Sequence, residues 1–500
     1  MHFRRQIIKD TLMYSVANYV AMGIGIALSI ATKWILGTLG AGYYAMIKVF
    51  SSYGGLSDLG SRDAMFREVA QSLGAGDHQR AARIRDSVFS FTLISSFVAA
   101  VILFAVAVFF VHDPLLKKGV MMAGLLVFAT QIYGLMLTLL RLVKKISFLS
   151  IMIVVNILGV ALFSILGASL FGVLGLVMGL IIMTCLSAWF AYRFGKLQLG
   201  LLWDFNEAWR LVQIGLPMVI AGYAFQTFLT VDTIMIGKMI GYKELGFYTI
   251  ALMSTQQINS LGSYTSIILQ PHIQEKYGLN KNLADSRSIF IKGTDVFVYL
   301  LPVIIALVFF GVPVMVHYFL PKFILGLPSM RILIVAYYFV AASEVSGSVL
   351  FTINKQARLI PIFCAMIILA IGLNYFFIIR HGGIEGVAIA TTISYFCYFA
   401  VMFYYSLKHV LGRPELIRKM LFMVFVFAYM SLMLFGIEKI FQRSDEVLGA
   451  IIKFSIFFII FSPFILYYET KEKLFKTLFL ILQSKWWAVT HRAGSEDQIN

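Results

Sequence analysis

Residues 231–251 read VDTIMIGKMIGYKELGFYTIA, and the fold turns on how they are read. GLPMVIAGYAFQTFLT leads into them and LMSTQQINSLGSYTSIIL follows, and both flanks read as long apolar runs. Ile236-Gly237 ends one helix, a short turn follows, and Gly246-Phe247-Tyr248 opens the next. Asp232 and Lys238 sit inside this stretch. An ionised side chain at the centre of a membrane helix costs about 2.5–3.5 kcal/mol on insertion scales, so depth decides which charges need explaining.

Composition carries the same reading to the whole chain. Of its 500 residues 60% are hydrophobic and 13% charged, and the mean hydropathy is +0.87. A soluble chain carries about 25% charged residues, so there is too little polar surface for water-facing domains. The chain reads as an all-α polytopic membrane protein. Apolar runs of about 20 residues, the length that crosses a hydrocarbon core as helix, recur fourteen times between residues 12 and 468. The first follows MHFRRQIIKD, is too long for a signal peptide's apolar segment, and is expected to remain as a helix.

Fourteen crossings place both termini on one side of the membrane. Summed over the segments on that side, Lys and Arg number 29 of 41, so the side is predicted to be cytoplasmic. The net charge of +17 then reflects topology and contact with anionic lipid, and no basic stripe interleaved with aromatics suggests nucleic acid. The longest cytoplasmic insertion, 61–88, reads as two short amphipathic helices broken at Gly74-Ala75-Gly76, with Asp77 capping the second. Outer loops are short, which speaks against a membrane-embedded glycosyltransferase or polymerase. The sequence lacks a phosphate-cradling GxxxxGK[ST] loop. Its eight histidines are scattered without metal-ligand spacing, so neither cofactor nor metal is expected. Cys185, Cys364 and Cys397 fall inside apolar runs and imply no disulfide framework.

An internal repeat explains the opening stretch. WILGTLGAGYYAMIKVFSSYGGLSDLGS (34–61) aligns with IMIGKMIGYKELGFYTIALMSTQQINSLGS (234–263). Gly37 matches Gly237, Gly42 and Tyr44 match Gly246 and Tyr248, and Leu59-Gly60 matches Leu261-Gly262. A weaker echo links FGVLGLVMG (171–179) to GGIEGVAIA (382–390), where small residues permit close helix contact. Two six-helix lobes of the same orientation follow, at 1–200 and 201–410, with helices 13 and 14 and the tail in 411–500. Parallel repeats of this kind are a transporter signature, with substrate handled between the lobes.

The segment from Gly215 to Ala251 resembles the seventh and eighth helices of the polysaccharide-transporter branch of the MOP superfamily, which holds the Wzx-type O-antigen flippases. NKQARLIPIFCAMIILAIGLNYFFIIRHGGIEGVAIATTISYFCYF (354–399) resembles that branch's eleventh and twelfth helices. The resemblance implies two lobes around a central cavity that opens alternately to either face. It also implies a substrate, lipid-linked oligosaccharide on undecaprenyl pyrophosphate, moved from the cytoplasmic to the periplasmic leaflet of the bacterial inner membrane. Membrane lipids, and polysaccharide polymerase or assembly proteins, are the partners that go with it. A drug-exporting relative or a lipid II flippase would share the fold.

Lys33 beside Trp34, and Lys238, Arg331, Arg380 and Lys453, lie near outer helix ends, where snorkelling to the interface accounts for them. Lys48, Asp232 and Glu344 lie deeper. They suit either an aqueous cavity or structural ion pairs between lobes, Lys48 with Asp232 being one such pair. Asp58 and Arg62, four residues apart, suit a local pair at the cytoplasmic mouth. As a functional set, Lys48 with Arg62 or Lys33 would attract pyrophosphate, and Asp232, Glu344 or Asp58 would exchange a proton or cation. Pro217, after Gly215, is the candidate hinge of helix 7.

Overall fold

The computed structural model describes residues 2–197, 199–202, 204–259, 287–352, 358–408, 410–441 and 446–472. Among them every regular element is helical: α1 (His2–Gly54), α2 (Ser61–Gly74), α3 (His78–Phe110), α4 (Pro114–Leu142), α5 (Ile146–Gly195), α6 (Phe205–Met235), α7 (242–259), α8 (Arg287–Phe319), α9 (Leu327–Thr352), α10 (Leu359–Ile379), α11 (Gly383–Leu407), α12 (Arg413–Ile440) and α13 (Val447–Glu472). Eleven of the described helices are long and apolar enough to cross a membrane.

Two of these are too long to cross once. At 1.5 Å per residue, 53 residues would span about 80 Å, well beyond the 40–45 Å of a whole bilayer. In α1 the break is Gly37, at φ 64°, and in α5 it is Gly172, at φ 62°. This left-handed region favours glycine because a Cβ would crowd the backbone. In α5 the two arms fold back on each other: Gly167 packs on the backbone of Gly175, and Gly179 on that of Phe163. Residues sixteen apart along a straight helix could not touch. Gly383, which the sequence repeat aligns with Gly172, is also left-handed, at φ 56°.

Local chemistry sets the remaining ends. The N–H of Arg80 donates to Asp77 at 2.9 Å and that of Leu116 to Asp113 at 2.8 Å, each satisfying a donor the helix start leaves open. Pro114 occupies the first turn of α4, where a missing N–H costs nothing. The cap at Asp77 is as expected, but the helix it starts is not a short one. α3 runs unbroken from the 61–88 insertion into the apolar span, because nothing between His78 and Phe110 interrupts it.

α1, α3, α4 and α5 pack against one another, and so do α6, α9, α10 and α11. One large apolar core runs through both sets and on to α12 and α13. A second, smaller core gathers α2, α3, α4, both arms of α5 and the start of α6. Glu438 on α12 accepts from Arg331 of α9 at 2.6 Å and from Lys453 of α13 at 3.1 Å. Arg331 and Lys453 therefore do not snorkel. Lys453 is 2% exposed, and both cations turn inward because a shared carboxylate replaces the water each would otherwise seek. Lys238 and Arg380 are exposed, as helix-end anchors should be.

Candidate functional site

The reversal at Gly37 brings both arms of α1 to one wall of a cavity of about 640 Å³, and α6, α7 and α9 supply the other wall. Lys33 comes from the first arm and Lys48 from the second. No acidic side chain lines the cavity among the described residues. Lys33 Nζ donates to Ser29 Oγ at 2.7 Å and lies 3.9 Å from the Met253 sulfur across the cavity. Lys48 is exposed to the cavity. Trp34, by contrast, is 70% exposed on the outside of the bundle, so the interface-anchor role belongs to it and not to Lys33.

Of the two readings of Lys48 and Asp232, the ion pair between them does not form. The Asp232 carboxylate accepts from Tyr248 Oη at 2.7 Å and from the Thr233 N–H and Oγ1 at 2.6 and 3.2 Å. Asp232 is 3% exposed. It sits behind the cavity wall, one residue from Thr233, which lines it. The last turn of α6 widens into a π-turn at Ile236–Ile240, which is how the chain leaves Asp232 and enters the turn at Gly241.

Arg62 pairs with Asp58 at 3.2 Å and reaches Gln131 at 3.5 Å, outside the cavity lining. The pair is local, as expected, but it does not lie on one helix face. Asp58 ends a 3₁₀ turn, Leu59 and Gly60 are left-handed, and Arg62 begins α2, so the turn and not helical spacing brings them together. Glu344 lies on α9, and its side chain falls outside the described residues. Pro217 is inside α6, where it removes the N–H that would bond the Gln213 carbonyl.

Near one end of the cavity the two turns that the repeat aligns meet. A Cβ on Gly42 would strike the Tyr242 carbonyl, and one on Gly246 would strike the Thr38 carbonyl, so each turn presses backbone to backbone on the other. The rings of Tyr43 and Tyr242 lie 4.3 Å apart, and Tyr43 Oη donates to Asp113 at 2.8 Å. His112-Asp113-Pro114, which reads in sequence as a plain turn, thus both caps α4 and latches this end. At the opposite end Arg210 of α6 bonds Glu68 of α2 at 3.1 Å.

Sequence reasoning passed over the cavity's neutral polar side chains, among them Gln226, Gln256, Gln257 and Asn259. The signal was present: Ser254-Thr255-Gln256-Gln257-Ile258-Asn259 places five polar residues in six within a run read as apolar.

The cavity thus lies between helices of the two packed sets. Residues 71–321, half of the chain, match the family described as polysaccharide biosynthesis protein. The chain belongs to that family. Its structure is similar to that of lipid II flippase MurJ in an inward closed conformation, with a TM-score of 0.66 at 11% identity over 91% of this chain and 100% of that one. It is also similar to an inward-facing multidrug resistance MATE family transporter of the MOP superfamily (TM-score 0.63, 14% identity, 81% of this chain and 99% of that one). A third likeness is to a MOP superfamily transporter from Pyrococcus furiosus (TM-score 0.58, 14% identity, 80% and 94%). At such identities the likeness establishes the fold and no more. No curated protein matches the chain in sequence. This member of the polysaccharide biosynthesis protein family is therefore a multi-pass membrane protein with a MurJ- and MATE-like fold.

Proposed function

We propose that the protein is a flippase. Its substrate is an undecaprenyl-pyrophosphate-linked oligosaccharide, an O-antigen or other surface polysaccharide repeat unit. It carries this from the cytoplasmic to the periplasmic leaflet of the bacterial inner membrane by alternating access. One observation carries the reading: among the described residues, the cavity holds two lysines and no carboxylate. A diphosphate must shed water to cross, and fixed ammonium groups in a confined site substitute for that water. A cationic drug would meet Lys33 and Lys48 with nothing to offset them, which disfavours the drug-exporter reading.

On this reading both termini are cytoplasmic, fourteen crossings form lobes 1–200 and 201–410 with 411–500 attached, and the Gly42–Gly246 contact is the periplasmic gate. Pro217 lets α6 bend, and Arg62, held by Asp58, shapes the cytoplasmic mouth without binding the substrate directly. Lipid II would offer the same diphosphate, so complementation of strains lacking one or the other flippase separates the two substrates.

Replacing Lys48 with Ala in a strain without its own flippase should cut export at least about tenfold, the loss of one charge-assisted contact worth about 1.5–3 kcal/mol. Undiminished export at equal protein level would remove Lys48 from the mechanism. Transport is coupled to an ion gradient through Asp232, whose carboxylate has neutral partners only among the contacts described above. A proton or cation that binds it removes the cost of that isolated charge. Asp232→Asn should abolish gradient-driven export while retaining lipid binding; export that still follows the gradient in this variant would overturn the assignment.

A further inference from the structure

The cavity's ammonium groups and most of its carboxamides stand on different walls. Both ammonium groups stand on α1, at Lys33 and Lys48. Facing them, Gln226 on α6 and Gln256, Gln257 and Asn259 on α7 form a wall of carboxamides. Asn18, the one amide on the α1 side among the described residues, has its Nδ2 committed to the Tyr14 carbonyl at 2.7 Å. Gln256 is exposed to the cavity, and Gln257 Oε1 is buried without a hydrogen-bond partner among the described residues.

The two chemistries suit different ligand groups. An ammonium has three donors and no acceptor, which matches phosphate oxygens, acceptors only. A carboxamide both donates and accepts, which matches a hydroxyl or an acetamido group, each of which does the same. A site built to hydrogen-bond such groups discriminates strongly, because its buried polar atoms are left unpaired by a ligand that lacks them.

We infer that the substrate lies across the cavity, its diphosphate on the α1 lysines and its lipid-proximal sugars on the amide wall of Gln226, Gln256, Gln257 and Asn259, which reads the glycan. This rests on the flippase reading above. It makes the second wall, and not the cationic one, the specificity determinant.

The test measures binding to the full chain in lipid nanodiscs. The probes are undecaprenyl diphosphate, bare and carrying a short glycan of either neutral hexoses or N-acetylhexosamines. The wild type should bind one of the glycosylated lipids about tenfold or more tightly than the bare lipid, two or three net hydrogen bonds of about 0.5–1.5 kcal/mol each. Gln256→Leu with Gln257→Leu should bring that preference below about threefold and leave bare-lipid affinity unchanged, whereas Lys48→Ala should weaken all probes by the same factor. Should the double variant not fold, Gln256→Leu alone, at a cavity-exposed position, should halve the preference or more. A preference that survives these substitutions, or a wild type that binds no glycosylated probe better than the bare lipid, overturns the amide-wall assignment while the flippase reading stands. A wild type that binds none of the diphosphate lipids overturns the flippase reading itself.

Discussion

Gly42→Val is expected to abolish export in a protein that still folds and inserts. The added side chain would occupy the space of the Tyr242 carbonyl, and because both partners are backbone, neither can rotate away. The turns must separate, and with them the Tyr43–Tyr242 ring contact and the latch to Asp113. An aromatic pair contributes about 0.5–1.5 kcal/mol and a net hydrogen bond about as much, so the closed gate loses tenfold to a hundredfold in population before steric overlap is counted. Gly246→Val should behave alike through the Thr38 carbonyl. Gly311→Ala, with open space around its Cα, serves as a control that export tolerates. A thiol reporter at Thr230, which lines the cavity, would be introduced after replacing Cys185, Cys364 and Cys397. An impermeant reagent added from the periplasmic side should label it at least about tenfold faster in Gly42→Val. Wild-type export and unchanged labelling in that variant would show that this contact is not a gate.

Glu438→Leu should destabilise the protein by about 3–5 kcal/mol, the usual consequence of removing one partner from a buried ion cluster. The carboxylate bonds two cations, Arg331 and the nearly inaccessible Lys453, beside Phe310 and Pro313, and its removal takes that bond from both. The cost should show as a lower denaturant midpoint in mixed micelles. Adding Arg331→Met and Lys453→Leu should restore most of the loss, since buried ion groups can often be exchanged for apolar ones of similar volume. A Glu438→Leu protein within about 0.5 kcal/mol of wild type would mean that the cluster does not hold α12 and α13 to α9.

Much of the fold is legible in the sequence because membrane insertion imposes it. Long apolar runs separated by clusters of Lys and Arg leave little other choice, and the glycine repeat locates the turns now seen at Gly37, Gly172 and Gly383. Depth along a helix singles out Lys48, which lines the cavity. Depth alone does not give azimuth, however: it allows Asp232 either the cavity or Lys48, whereas the carboxylate turns to Tyr248 and Thr233. Arg331 and Lys453 were read as snorkelling because their common partner, Glu438, lies far from Arg331 in sequence and is brought to it only by packing. The amides at 256–259 escaped notice because neutral polar groups scarcely lower the hydropathy of a run, although they decide which ligand a cavity can hold.

The most direct test is transbilayer movement in vesicles reconstituted with the purified protein. The cargo is undecaprenyl diphosphate carrying a short glycan, and the readout is the fraction accessible to a glycan-cleaving enzyme added outside. Wild-type protein should transfer the lipid across, and Lys33→Ala with Lys48→Ala should reduce the rate at least about a hundredfold, as two charge-assisted contacts are lost. Equal rates for the two proteins would contradict a cationic cavity that carries the anionic headgroup.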